Sequence, residues 1–389
     1  MKCRICGTET REFLDLGDQP IANNFLKKEQ LNRDELFYQL ILTFCPTCYV
    51  VQLENTIPPS SMFNDKYPFV SSSSDFMVCH FNGLADMIKK NYLDEEGFIV
   101  ELGSNDGTFL RNFKSYQHLG IEPSKNVAEY TKDLFIISKF FDDKLSKDIC
   151  KAKGYADVIV SANVFPHIED RDTVLKGIKR LLKPGGIWIN EEVYLGAILL
   201  NMSYDQFYNE HIYTSSIASF RVMAQMYGLE VVNCEFQNVH GGSMRYYITH
   251  WDEAMKKGNH LKRLVCIVNK EELVNYNTLK NFGISVEQSR EAFLYRLSQI
   301  DDPIVGYGAT AKSSTILNYC GIGPETIGKI YDTTPEKQGK YSPGKHIPIV
   351  SYDEFHKDNP KNVVLFAWNH AKEIFEKEKG KDINWILPI

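Results

Sequence analysis

Residues 98–108 read FIVELGSNDGT, and their reading decides the fold. Phe98, Ile99, Val100 and Leu102 form a short apolar run that stops abruptly in Gly103-Ser104-Asn105-Asp106-Gly107, followed by Phe109-Leu110. That pattern predicts a strand, a glycine turn and then a helix over 107–113. Glycines at 103 and 107 permit positive φ and close approach of a ligand to the backbone, and a following helix would offer its first N–H groups. Further on, His118-Leu119-Gly120-Ile121 reads as a second strand ending in Glu122, where open α/β sheets place a carboxylate for ribose hydroxyls.

The spacing departs from GxGxxG. Ser104-Asn105 stands where a pyrophosphate cradle needs room, and Glu101 at the strand end would repel a phosphate but accept from an amine. A cationic adenosyl ligand such as S-adenosylmethionine suits this chemistry. Glu101, Gly103, Asn105, Asp106, Gly107 and Glu122 are the expected donor-binding residues, Glu101 near the amino-acid end of the donor and Glu122 on its ribose. Asn163 joins them from the end of a later strand.

Outward from this stretch the alternation continues. A helix within 75–92 precedes it; helix 124–133, a strand near Leu134–Ile137, strand 157–163, a helix ending at Lys183-Pro184-Gly185-Gly186 and strand 187–191 follow. That order predicts a doubly wound parallel sheet with ligands at the carboxyl ends of its strands. His167, in the loop after strand 157–163, stands at such an end.

The chain has 389 residues, enough for two or three domains, with 43% hydrophobic and 24% charged residues as in globular proteins. A net charge of −6 offers no electrostatic case for nucleic acid. No run approaches the length of a membrane span and the first residues carry no apolar signal core, so a cytoplasmic location is expected. Cys3-Arg-Ile-Cys6 and Cys45-Pro-Thr-Cys48 are two CxxC units 38 residues apart. Two such knuckles complete a tetrahedral site; with all four positions filled by sulfur, the expectation is a structural Zn2+ on Cys3, Cys6, Cys45 and Cys48. Cys79, Cys150, Cys234 and Cys266 read as core residues, and Leu16–Phe25 as a loop.

Past the fifth strand, residues 203–211 read SYDQFYNEH. On a helix, Tyr204, Tyr208 and His211 would share one face with Glu210 beside it. A phenol and an imidazole side by side suit carbon-acid chemistry, as donor and base. A charged helical connector is expected over about 252–300. Residues 303–313, PIVGYGATAKS, then give strand, GxGxxA and helix, with Asp332 ending the next strand. This second Rossmann-like unit suits a pyrophosphate, to which Lys312 could add charge. The domains expected are 1–57, 58–235 and 236–389.

Taken together, the CxxC pairs, YPF-V-SSS at 67–73, ELGSNDGTFL at 101–110, GIEPS at 120–124, SYDQFYNEH, HGGSMRYY at 240–247 and GYGATAKSS at 306–314 carry a resemblance that spans the chain. The protein resembles the S-adenosylmethionine-dependent sugar C-methyltransferases acting on dTDP-4-keto-deoxyhexoses, including the C-3 methyltransferase type of tetronitrose biosynthesis. The resemblance implies a zinc-binding lobe, a central class I methyltransferase domain and a C-terminal Rossmann-like domain. It also implies His211 as the base that removes the C-3 proton, Tyr208 and Glu210 shaping the site, His167 holding the sugar, and Tyr67 as an active-site tyrosine. Phe69 replaces the second tyrosine of the family's YPY form, and Thr310 stands where the family commonly has proline. The expected partner is a nucleotide-diphosphate 4-keto sugar, with no nucleic acid and no membrane; the oligomeric state is left open, a monomer included.

Two other readings compete. An NAD(P)-dependent nucleotide-sugar oxidoreductase would use GxGxxA with Asp332, and a non-enzymatic protein would use the zinc lobe as a binding module. The acidic balance and the Tyr/Glu/His cluster oppose the latter.

Overall fold

The computed structural model describes residues 1–58, 70–257, 271 and 275–389. Tyr67, Phe69 and Cys266 lie outside the described residues.

Strands β1 (Arg11–Pro20), β2 (Phe37–Phe44) and β3 (Val51–Leu53) pair antiparallel at the start of the chain. Residues 16–20, expected as loop, continue β1. Their pairing with β2 slips between Asp15 and Asp18, so Gly17-Asp18 is a bulge within a strand, and a bulge has the local composition of a turn.

Strands β4 (Phe98–Leu102), β5 (Gln117–Ile121), β6 (Ile136–Ile137), β7 (Ala156–Ala162) and β8 (Leu182–Val193) are mutually parallel. The short β9 (Tyr213–Thr214) leaves them to close the amino-terminal sheet beside β3. Strands β10 (Leu229–Gln237) and β11 (Ser243–His250) then add an antiparallel edge, giving the order β10-β11-β8-β7-β4-β5-β6. All five residues of β4 are buried. Phe98, Val100 and Leu102 pack into one hydrophobic cluster and Ile99 into another, as expected for a central strand covered on both faces. The strand order reverses between β4 and β7, which opens a crevice at their carboxyl ends.

The local elements around that crevice are shorter than the sequence suggests. Residues 107–113 hold only a 3-10 turn at Leu110–Phe113, and 124–133 splits into Lys125–Ala128 and a 3-10 turn at Glu129–Thr131. Cys79 is exposed and Cys150 half-buried; of the single cysteines expected in the core, Cys234 is buried.

The third sheet, β12 (Ile304–Tyr307), β13 (Ile327–Asp332), β14 (Ile349–Ser351), β15 (Asn362–Leu365) and β16 (Asn384–Ile386), is wholly parallel in the order β14-β13-β12-β15-β16. Helix Tyr276–Ser298 ties it to the amino-terminal sheet: Leu279, Phe282, Val286, Phe293 and Leu297 share one core with Phe13 and Leu14 of β1 and Ile304 of β12. Each such buried side chain contributes roughly 1.5–3 kcal/mol. The helix approaches β1 so closely that a Cβ at Gly283 would sit 2.3 Å from the Phe13 carbonyl oxygen.

Candidate active site

β4 delivers the glycine turn to the crevice. Gly103 has φ +67, its N–H donates to the Ile121 carbonyl at 2.7 Å, and a Cβ there would lie 2.3 Å from Val164 Cγ2. Glu122, at the end of β5, accepts the Asn105 N–H at 2.9 Å and the Ser124 N–H at 2.8 Å. One amide of the turn is thereby tied to the carboxylate expected to meet a ribose. Asn105 and Asp106 also reach the chain that enters this domain. Asn105 Oδ1 accepts the Ser71 N–H at 3.0 Å and Asp106 Oδ2 the Ser72 N–H at 3.1 Å, so both anchor the serine turn that enters this domain.

Glu101 is buried, and its Oε2 has no hydrogen-bond partner among the described residues. Burial, with Asp106 and Glu122 nearby, pushes its carboxyl well above the usual range. A buried, unsatisfied carboxyl group beside two more acids is a poor place for a phosphate and a suitable one for a cationic ligand. The residues present therefore fit S-adenosylmethionine.

The four knuckle cysteines also converge. Their sulfurs all lie within 4.8 Å of one another, with Cys3–Cys48 at 3.5 Å and Cys6–Cys45 at 3.3 Å. Sulfurs around a tetrahedral zinc are about 3.8 Å apart, from Zn–S bonds of about 2.3 Å, so the set fits that ion. Cys45 and Cys48 are buried, and Arg4 closes the first knuckle by donating to the Leu53 carbonyl at 2.5 Å and the Glu54 carbonyl at 2.7 Å.

Residues 203–211 are not a helix. One 3-10 turn, Tyr204–Gln206, is followed by extended chain and a turn in which the His211 N–H donates to the Tyr208 carbonyl at 2.9 Å. Tyr204 leaves the shared face expected of it and is buried against Cys320, 3.9 Å from its hydroxyl. The segment's carbonyls are spent on side chains, Gln206 O on His211 and Phe207 O on Thr315, which competes with helix formation.

Tyr208 and His211 nevertheless meet. The Tyr208 hydroxyl lies 2.8 Å from His211 Nε2, and His211 Nδ1 lies 3.0 Å from the Gln206 carbonyl oxygen. A carbonyl can only accept, so Nδ1 carries the hydrogen and Nε2 is the basic nitrogen, to which the phenol donates. Burial, reinforced by His167, holds the His211 imidazole well below the usual histidine range, so it is neutral at pH 7. His167 Nδ1 donates to the Glu210 carbonyl at 2.7 Å, its ring is 5.0 Å from that of His211, and burial lowers its pKa to about 4.

The loop at 163–167 joins the two halves of the site. Asn163, with φ +55, donates its N–H to the Glu191 carbonyl at 2.7 Å; Val164 presses on Gly103, and the Val164 carbonyl accepts the His167 N–H at 3.1 Å. The glycine turn and the Tyr208–His211 pair thus rest on opposite ends of one five-residue loop.

Several residues at the site were not singled out from the sequence. Asn23 Nδ2 donates to Glu210 Oε1 at 2.7 Å, Trp368 Nε1 donates to the buried Asp205 at 2.6 Å, and Gln206 Nε2 donates to the His240 carbonyl. Glu191 binds Arg245 at 2.8 Å and His80 at 2.7 Å. Of these, Glu191 had a signal: Asn190-Glu191-Glu192 puts three polar residues in the otherwise apolar, buried second half of β8, residues 187–193. Lys312, expected beside a pyrophosphate, sits over the Trp368 ring at 4.8 Å with its Nζ 3.1 Å from Asn369 Oδ1, and burial lowers its pKa to about 8.

The parallel sheet with its antiparallel last hairpin and the acid-lined glycine turn at the switch point define an S-adenosylmethionine-dependent methyltransferase of class I, carrying a zinc site in its amino-terminal lobe. Sequence comparison gives the family. Residues 3–63 match a zinc binding domain family, 81–233 a methyltransferase domain family and 238–389 the C-methyltransferase C-terminal domain family. The chain is 30% identical to the C-methyltransferase NovU of Streptomyces niveus over 97% of its own length and 92% of that protein. It belongs to this family of C-methyltransferases. Solved structures similar to it include magnesium protoporphyrin IX methyltransferase from Synechocystis PCC 6803 with bound SAH (TM-score 0.34, 11% identity, 44% of this chain and 83% of that one). Another is an S-adenosylmethionine-dependent methyltransferase from Clostridium acetobutylicum (TM-score 0.35, 11% identity, 46% and 93%). Methyl transfer is thus the activity, and the oxidoreductase reading has no support. Among the described residues no helix is long and apolar enough to cross a membrane.

Proposed function

We propose that the methyl acceptor is a nucleotide-linked 4-keto-deoxy sugar, that the carbon methylated is C-3, and that His211 removes its proton. The observation that carries this reading is the neutral, buried His211 with Nδ1–H fixed on the Gln206 carbonyl and Nε2 turned toward the Tyr208 hydroxyl. A C-4 ketone acidifies the neighbouring C–H, and a neutral imidazole is a competent base for it. The proton passes from carbon to Nε2 as the C–H electrons become the enolate. Once Nε2 is protonated it can no longer accept from Tyr208, and the phenol donates to the enolate oxygen instead. His167, held by the Glu210 carbonyl, orients the sugar beside this pair, and Glu210 supplies negative charge next to the imidazolium that forms. Tyr67 belongs to the same reading by resemblance.

S-adenosylmethionine, when bound, supplies an electrophilic methyl group. Glu101, Gly103, Asn105, Asp106, Gly107 and Glu122 would hold it, with Asn163 at the neighbouring strand end. Zinc on Cys3, Cys6, Cys45 and Cys48 would stabilise the first lobe. The parallel C-terminal sheet, with Lys312 beside the turn after β12, is the place we assign to the nucleotide. Cytoplasmic deoxysugar biosynthesis is the setting this reading implies.

The test is a panel of 4-keto nucleotide sugars incubated with methyl-labelled donor and the enzyme, with products read by mass spectrometry and their position by NMR. Label at C-3 of such a sugar is expected; label on no member of the panel would overturn the substrate class.

A further inference from the structure

Nothing in the chemistry above explains why a loop from the zinc lobe enters the site. Asn23 follows the end of β1, on a connection held from the far side by Ser314 Oγ, which donates to the Ala22 carbonyl at 2.8 Å. Its amide nitrogen lies 2.7 Å from Glu210 Oε1. Glu210 is buried, forms no ion pair among the described residues, and receives no other described side-chain donor. Its carboxylate is met by this Asn23 amide, while its backbone carbonyl accepts from His167 Nδ1 at 2.7 Å. The Tyr208–His211 pair flanks it in sequence, and His167, His240 and Lys312 all disfavour charge on His211.

We infer that Asn23 is a positioning residue for methyl transfer: its amide N–H keeps the Glu210 carboxylate ionised and aimed, so that the imidazolium formed on His211 has a counter-charge. This rests on the reading of His211 as base. A donor to a carboxylate favours the charged form, and a buried carboxylate with a single donor depends on it strongly. Burial already lifts Glu210 to about 7, so its charge near neutrality turns on this one contact. The imidazolium, in turn, forms where burial and His167 oppose it, and its cost rises if Glu210 is neutral.

The experiment follows Glu210 directly. Infrared difference spectra between the full-length wild type and Glu210→Gln, taken across pH, report ionisation of this carboxyl, and kcat is measured over the same range with donor saturating. Asn23→Leu is expected to raise the Glu210 midpoint and the acid limb of kcat together by about one pH unit, with donor affinity unchanged. Asn23→Asp should raise both further, and Asn23→Ser, which keeps a smaller hydrogen-bonding group, should lie between Leu and wild type and serves if Leu does not fold. A Glu210 midpoint and acid limb that stay in place in folded Asn23→Leu or Asn23→Ser, even with kcat reduced, would overturn the inference. If Glu210→Gln leaves the wild-type acid limb where it was, the Glu210 role itself fails, independently of Asn23.

Discussion

Replacing Gly103 by alanine tests whether the turn after β4 sets the geometry of the whole site. Gly103 has φ +67, and its missing Cβ would fall 2.3 Å from Val164 Cγ2. The left-handed backbone costs an L-residue about 1–2 kcal/mol, and forcing a methyl into a filled space costs a further ~1–3 kcal/mol. Gly103→Ala should therefore lose about 2–5 kcal/mol of unfolding free energy for the central domain, as the sum of those two effects. The overlap falls on a side chain rather than on backbone, so Val164 yields, and with it the loop carrying His167. Urea denaturation and calorimetric titration with S-adenosylmethionine make the assay, with donor affinity and turnover both expected to fall. Adding Val164→Ala removes the overlap and should leave only the backbone share, about 1–2 kcal/mol. If Gly103→Ala is as stable as wild type and binds donor as tightly, the turn does not have the role given to it here.

Chelation of zinc, or Cys45→Ser, should lower the thermal midpoint by several degrees while folded protein still binds donor; loss of turnover with unchanged stability would contradict a structural site. Tyr208→Phe removes the donor on His211 Nε2 and, with it, the donor meant for the enolate, so kcat should fall about 10²–10³-fold with stability nearly unchanged; a fall under about threefold would remove Tyr208 from the chemistry. His167 is held neutral at about 4 against an unfolded value near 6.5. The unfolded chain therefore binds more protons between those values, and stability should decline as pH falls from about 6.5 to about 4, by up to ~3 kcal/mol from this residue. His167→Asn should flatten that decline in pH-dependent urea melts, and an unaltered slope would refute the assignment.

The architecture was legible because its signals are local. A buried strand stopped by glycine, an acid at the end of the next strand and two CxxC knuckles each fit within a few residues. The resemblance singled out Tyr208, Glu210 and His211, and in the structure the Tyr208 hydroxyl lies 2.8 Å from His211 Nε2 while Glu210 and His211 are buried. What the helical reading of 203–211 missed was competition: the Gln206 and Phe207 carbonyls bond side chains instead of helix N–H groups, one of them 108 residues away in sequence. Tyr204 was drawn off the shared face by burial against Cys320, which periodicity within nine residues cannot reveal. Asn23 meets Glu210 across 187 residues, and Trp368 meets Asp205 across 163. Such pairs depend on how separate units dock, and nothing in either local stretch marks them. Asn105 and Asp106 carry a second task that the motif alone does not reveal: they also hold the Ser71 and Ser72 amides.

The central claim is that His211 takes a proton from carbon before any methyl moves. A 4-keto nucleotide sugar in D2O, with the enzyme and S-adenosylhomocysteine but no methyl donor, isolates that step, and proton NMR of the C-3 position follows it. The account predicts that wild type exchanges the C-3 hydrogen for deuterium, whereas His211→Ala, still binding S-adenosylmethionine, does not. Exchange by His211→Ala at the wild-type rate would contradict it.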